Sequence, residues 1–168
     1  MQRVLRELVH KHRTEMVFLM ETKQLQQGME VLRRRLGFDH GDYVDPLGRS
    51  GGLALWWKKE LDVQICRKTK NYIDAKIREK HEWHFTGIYV SPKKNEKAAI
   101  LEEIYQLLKV QSEPWVVVGD FNLCLSTLDK QGGNGISCSQ SSLFQQFIND
   151  YELMDLDFKG GKFTWHNH

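Results

Sequence analysis

Residues 114–122, PWVVVGDFN, contain a short apolar run that ends at a glycine followed by a carboxylate, Asp120. Residues 16–23, MVFLMETK, repeat this arrangement, since an uninterrupted apolar run ends there at Glu21. Unbroken apolar runs of this length are typical of strands that are buried on both faces. Ligand sites tend to lie at the carboxyl ends of strands. Glu21 and Asp120 are therefore the first candidates for chemistry, and side by side they could hold a divalent cation.

The segments around these two runs alternate between helical and extended patterns. Helices are predicted where apolar residues recur at helical spacing, at residues 3–13, 28–36, 96–110 and 141–151. Further strands are predicted at residues 53–57, 61–67, 72–78, 83–90, 153–158 and 162–166. Short polar segments separate the four strands in the middle, which favours antiparallel hairpins. The order predicts an α/β fold, an α+β sandwich with more than one sheet and helices outside.

The composition is that of a folded domain. A chain of 168 residues with 40% hydrophobic residues has enough apolar area for one core, which argues against a disordered tail. No apolar run approaches the ~18 residues that a membrane span needs, so we expect an intracellular protein without a membrane partner. Three cysteines without CxxC spacing argue against a disulfide scaffold or a zinc ribbon.

The charge is unevenly distributed along the chain. The formal net charge is +2, but residues 1–84 hold 17 basic and 12 acidic side chains. This excess allows a polyanionic partner for the first half, although charge alone favours a solvated surface of mixed sign.

Several motifs resemble, in order and spacing, those of the endonuclease/exonuclease/phosphatase superfamily. They are MVFLMETK at residues 16–23, GIYVSP at 87–92 and GDFN at 119–122. Other stretches are similar to the apurinic-type endonuclease domain of plant LINE (non-LTR) retrotransposons: GRSGGLALWW at 48–57, QGGN at 131–134 and FKGGKFTW at 158–165. The resemblance runs from about residue 3 to residue 168, and it implies a DNase I-like four-layer sandwich.

The resemblance also implies roles for four residues in a Mg²⁺-dependent or Mn²⁺-dependent phosphodiesterase. Glu21 and Asp120 would hold the metal, and Asp120 would also orient or deprotonate the attacking water. Asn122 would hydrogen-bond the scissile phosphate, and Tyr89 would help to position it. Phosphoryl chemistry needs a cation, an aligned nucleophile and donors to the phosphate oxygens, and these residue types are present. Without the resemblance, Tyr89 is more typical of a strand core and Asn122 of a turn.

The chain departs from the family pattern at both ends. In the family a strand carrying Trp-Asn precedes the opening helix, and an Asp and a Ser-Asp-His segment follow the Phe-Thr-Trp strand. We therefore expect residues 1–168 to form a single domain that lacks the first strand and the C-terminal catalytic segment. Such an incomplete sandwich would have impaired activity.

Three functions remain as hypotheses. The first is a retrotransposon-derived endonuclease domain that nicks DNA with Mg²⁺ and needs no small-molecule cofactor. Its ancestral partner would be a reverse transcriptase domain in the same polyprotein, and its location would be nuclear. The second is an inactive remnant that binds nucleic acid weakly through five basic residues: Arg33, Arg34, Arg35, Lys58 and Lys59. The third is a phosphatase of the same superfamily.

Overall fold

The structure is a computed structural model, and it describes residues 2–48, 50–108, 113–125 and 138–156. The chain divides into two compact units. The first unit comprises residues 1–89 and 112–121, and the second comprises residues 90–111 and 122–168. Among the described residues, no helix combines the length and the apolar character that a membrane crossing requires.

Among the described residues, the first unit contains two helices and seven strands, and the second contains two helices. In the first unit these are α1 Gln2–His12, β1 Met16–Met20, α2 Gln26–Arg35, β2 His40–Val44, β3 Leu53–Trp57, β4 Asp62–Lys68, β5 Tyr72–Arg78, β6 Glu82–Tyr89 and β7 Trp115–Asp120. In the second unit they are α3 Lys94–Leu108 and α4 Cys138–Asp150.

The seven strands form two sheets. The first sheet has the order β1-β3-β2, and both of its pairs are antiparallel. The second has the order β4-β5-β6-β7, in which only the pairing of β6 with β7 is parallel. Because parallel strands point the same way, the last residues of β6 and β7, Tyr89 and Asp120, are register partners.

The sheets pack face to face around an apolar core. Leu53, Leu55 and Trp57 on β3 pack against residues of β5 such as Ile73 and Ile77. The alternate residues of β3 face the other way and contact α1 and α2, in a second core cluster. β3 is therefore buried on both faces, which explains why its sequence is apolar without alternation.

The predicted sandwich of two sheets with helices outside is confirmed, and most element bounds move by only one to three residues. Gly37 follows α2 with a φ of 77°, in the left-handed conformation that commonly ends a helix.

Three sequence-based expectations about strands were wrong or incomplete. β3 does not form a hairpin with β4, because its partners are β1 and β2. β2 was not predicted, since HGDYV has neither an apolar run nor clear alternation. Residues 153–156 do not form the predicted strand, and the side chain of Met154 is 84% exposed there. The rest of that strand and the predicted strand 162–166 lie outside the described residues.

A largely buried ion pair fixes the end of α2. Arg33 is 8% exposed, and its Nη2 donates to Glu30 Oε2 at 2.8 Å while its Nη1 donates to the carbonyl of Phe38. The hydrogen bond from Arg33 lowers the pKa of Glu30, against the opposing effect of burial. Arg33 therefore stabilises the fold and does not present its charge to a nucleic acid, contrary to the sequence-based expectation.

Glu30→Gln should lower the free energy of unfolding by about 1–3 kcal/mol, because the Arg33 charge stays buried without its counter-ion. Since the folded-state pKa of Glu30 is lowered, its contribution is present above the unfolded pKa of about 4.3 and is lost as the pH falls through the folded value. Urea unfolding at several pH values measures this.

The matched control is Glu7→Gln, which removes the exposed pair that Glu7 forms with Arg3 at 3.0 Å. It should cost less than about 0.5 kcal/mol. Equal losses in the two variants would contradict a stabilising role for the buried pair.

Candidate active site

Glu21 lies immediately after β1 in an unusual backbone conformation. Its φ is 51°, and that of Lys23 is 52°, which places both in the left-handed region that side chains disfavour. Two hydrogen bonds fix the segment, from the Thr22 amide to the Gly52 carbonyl and from the Lys23 amide to the Gly51 carbonyl, each 3.1 Å long. Conformations of this kind persist only where the surroundings hold them, and they cluster at functional sites.

Tyr89 connects the two sheets at this end of the sandwich. Its hydroxyl donates to Glu21 Oε1 at 2.6 Å, so the end of β6 reaches the end of β1. Its backbone amide donates to the Asn71 carbonyl at 2.7 Å. Asp120 is the register partner of Tyr89 on β7, so the two residues lie side by side. Glu21, Tyr89 and Asp120 therefore lie together at the ends of β1, β6 and β7.

The electrostatics keep the tyrosine protonated. Burial raises the pKa of Tyr89 well above its usual value, and the hydrogen bond to Glu21 and the negative charges of Glu21 and Asp120 raise it further. The hydroxyl is therefore a hydrogen-bond donor at neutral pH. Lys23 Nζ lies 3.8 Å from Glu21 Oε2. The site thus combines two carboxylates, a neutral phenol and an exposed ammonium group.

Two glycines allow the strands to approach closely at the site. A Cβ atom on Gly87 would lie 2.5 Å from the Phe18 ring, so the absence of a side chain on β6 lets β1 pack against it. Gly119 has a φ of 150°, and a Cβ atom there would lie 1.8 Å from the carbonyl oxygen of Ile88. The backbone therefore requires glycine at residue 119, directly before Asp120, and at residue 87, opposite Phe18.

Asn122 belongs to the second unit. Its φ is 49°, and its side-chain amide donates to the Val90 carbonyl at 2.8 Å. The Lys97 ammonium donates to the Asn122 carbonyl. The expectation that Asn122 joins the carboxylates around one phosphate stays a prediction.

The residues at the site fit a hard divalent cation. Carboxylate oxygens are the ligands that Mg²⁺ prefers, and Mg²⁺ usually keeps several waters beside one or two acids. The Glu21 side chain is 44% exposed and Asp120 is also exposed, which leaves space for waters and a substrate phosphate.

Sequence reasoning missed the supporting role of Asn71. Its backbone carbonyl accepts the hydrogen bond from the Tyr89 amide, and any residue supplies such a carbonyl.

The sequence profile of the endonuclease/exonuclease/phosphatase family matches residues 2–168. A search of curated proteins finds no match. Among solved structures, an AP endonuclease from Archaeoglobus fulgidus is similar with a TM-score of 0.70 and 18% sequence identity, over 88% of this chain and 65% of that chain.

Two further solved structures are similar. The endonuclease domain of TRAS1, a telomere-specific non-LTR retrotransposon, has a TM-score of 0.63 and 16% identity, over 89% of this chain and 64% of that chain. The 3′ phosphatase NExo from Neisseria, bound to a product DNA hairpin, has a TM-score of 0.64 and 15% identity, over 88% of this chain and 65% of that chain. At these identities the likeness concerns the fold, and the chain spans slightly less than two thirds of each protein's length.

Gly87→Ala should lower the free energy of unfolding by about 1–3 kcal/mol, because the added methyl group overlaps the Phe18 ring. Urea unfolding measures this. Gly28→Ala is the matched control: in α2 the new Cβ would meet only the flexible end of Gln24, at 3.2 Å. Removing a helical glycine should be neutral or stabilising by up to about 1 kcal/mol. Similar effects of the two variants would contradict the close approach of β1 and β6.

Proposed function

This chain belongs to the endonuclease/exonuclease/phosphatase family, and on that basis we propose that it is a metal-dependent phosphodiesterase that nicks DNA. The observation that carries the proposal is the hydrogen bond of 2.6 Å from Tyr89 to Glu21, with Asp120 beside the tyrosine. This arrangement brings acids from two sheets to one exposed point.

The proposed roles follow from the chemistry of each side chain. Glu21 and Asp120 would hold the cation, which when bound neutralises charge on the phosphate oxygens. Asp120 would orient the attacking water and accept its proton. Tyr89, which stays protonated, would donate to the Glu21 carboxylate, hold it in place and so help to position the phosphate. The Asn122 amide would donate to a phosphate oxygen.

DNA is the proposed substrate, and a plant LINE retrotransposon is the proposed origin. The likeness to the TRAS1 endonuclease domain and to NExo bound to a DNA hairpin supports DNA as the polymer. The stretches at residues 48–57 and 158–165 support the retrotransposon origin, as they resemble that class of endonuclease. On this proposal the ancestral partner is a reverse transcriptase domain, and the site of action is the nucleus.

The proposal predicts slow nicking of supercoiled plasmid in Mg²⁺ or Mn²⁺ that EDTA abolishes. Asp120→Asn should reduce the rate by at least about 10²-fold, because the water loses its base and the cation loses a ligand. Asp62→Asn is the matched control, since the Asp62 side chain is 66% exposed on β4 and should leave the rate unchanged. Agarose electrophoresis measures the nicked fraction.

Two further measurements on the same protein would favour the other functions if plasmid is not nicked. Wild-type protein that binds plasmid in a gel shift and never nicks it would support the nucleic-acid-binding remnant. Release of inorganic phosphate from a phosphomonoester, with intact plasmid, would support a phosphatase.

Metal binding is also testable without turnover. A cation that binds only the folded state stabilises it by RT ln(1 + [L]/Kd), roughly 1 kcal/mol when the cation is at about five times its Kd. Millimolar Mg²⁺ or Mn²⁺ should therefore raise the melting temperature of the wild type. Glu21→Gln should remove most of this shift, whereas Glu60→Gln, an exposed position, should keep it. A wild-type melting temperature indifferent to both metals would contradict the proposed ligands.

A further inference from the structure

A second group of side chains of metal-ligating types lies on the second sheet, away from Glu21 and Asp120. Cys66 on β4, Asp74 on β5 and His84 on β6 each offer one ligand atom, and these three atoms lie within 4.8 Å of one another. Asp74 is 1% exposed and His84 is 8% exposed, whereas Cys66 is open to solvent. His84 precedes Tyr89 by five residues on β6, about 16 Å along an extended strand, so the two sites are separate.

A β-bulge places the thiol in this group. The register of β4 against β5 shifts between Ile65, which is opposite Ala75, and Arg67, which is opposite Asp74. Cys66 is therefore the extra residue of the bulge. Ile65 packs into the core between the sheets, so the next residue turns to the opposite face, beside Asp74. Bulges re-aim side chains in this way and are frequent next to functional sites.

The buried carboxylate is held by a chain of hydrogen bonds. The Trp115 indole donates to Thr86 Oγ1 at 2.9 Å, and the Thr86 hydroxyl donates to Asp74 Oδ1 at 2.7 Å. These bonds fix the orientation of the Asp74 carboxylate from the adjacent strands β6 and β7. Ligands in metal sites are commonly oriented by such secondary hydrogen bonds, and their loss weakens metal affinity.

The surroundings of Cys66 favour the protonated form of its thiol. Burial and the negative charge of Asp74 raise the pKa of Cys66, and the Lys76 amide, its ammonium group and Arg78 oppose this rise only in part.

We propose that Cys66, Asp74 and His84 bind a thiophilic divalent cation, Zn²⁺, with a water in the fourth position. Thiolate, imidazole and carboxylate are the three ligand types of zinc, whereas Mg²⁺ avoids sulfur. Tetrahedral zinc holds such ligand atoms about 3.3–3.6 Å apart, so the three atoms need to approach by at most about 1.5 Å. The ion would join β4, β5 and β6, because each strand supplies one ligand.

Cobalt titration of the metal-free 168-residue chain tests the proposal. Co²⁺ takes the place of Zn²⁺ in sites of this geometry, and a thiolate ligand gives a ligand-to-metal charge-transfer band in the near ultraviolet. We expect the band to saturate at one equivalent, to disappear when Zn²⁺ is added and to survive millimolar Mg²⁺. Cys66→Ser should abolish the band and weaken Zn²⁺ binding by at least about 100-fold in competition with a chelator.

The matched control is Cys124→Ser, which removes a cysteine outside the group and should leave the band intact. Absence of the band in the wild type, its persistence in Cys66→Ser or its loss in Cys124→Ser would overturn the proposal. A readout without any variant is alkylation of the wild type by iodoacetamide, followed by peptide mass spectrometry. Zn²⁺ should protect Cys66 and leave Cys124 reactive, and unprotected Cys66 would overturn the proposal as well.

Discussion

The contact between the Phe18 ring and Gly87 is the constraint on which the candidate active site depends. Because Gly87 has no side chain, the Phe18 ring of β1 packs directly on the backbone of β6, and the two sheets are aligned at the ends of these strands. Only with that alignment does the Tyr89 hydroxyl reach Glu21, while the parallel register sets Asp120 beside Tyr89. A slip of one residue in β1 would turn every side chain of that strand to the opposite face.

The strands that are buried on both faces could be predicted from the sequence, because burial leaves a local signal. The apolar runs of β1, β3 and β7 were read in this way, and all three strands are present, but of the three β3 alone is buried on both faces. The expectation was wrong for β7, where Val116 and Val118 are 38% and 45% exposed. β2 left no signal, since HGDYV is held by pairing with β3 rather than by its own pattern. The expected hairpin of β3 with β4 was wrong because strand pairing is decided by packing between distant segments. The short loop between β3 and β4 does not reveal that packing.

The candidate site was predictable in part. The strand-end carboxylates Glu21 and Asp120 are visible in the sequence, and the family resemblance added Tyr89. The positive charge of Arg33 suggested a contact with nucleic acid. The structure shows instead that its guanidinium donates to Glu30 and to the Phe38 carbonyl inside the fold. The group of Cys66, Asp74 and His84 gave no sequence signal, because its three members lie on separate strands and a bulge sets the position of one.

The parallel pairing of β6 with β7 also constrains the order of folding. β4, β5 and β6 are joined by connections of three residues each, but β7 begins 26 residues after β6 ends. Closing that longer loop costs entropy before the pairing returns any stability, so local hairpins should form first. Asp120 would then reach Tyr89 only when β7 docks on a sheet that already exists, an order that pulsed hydrogen exchange on the amides of β5 and β7 would resolve. On a ribosome the same sequence of events holds, since Glu21 is synthesised 99 residues before the carboxylate that completes the pair.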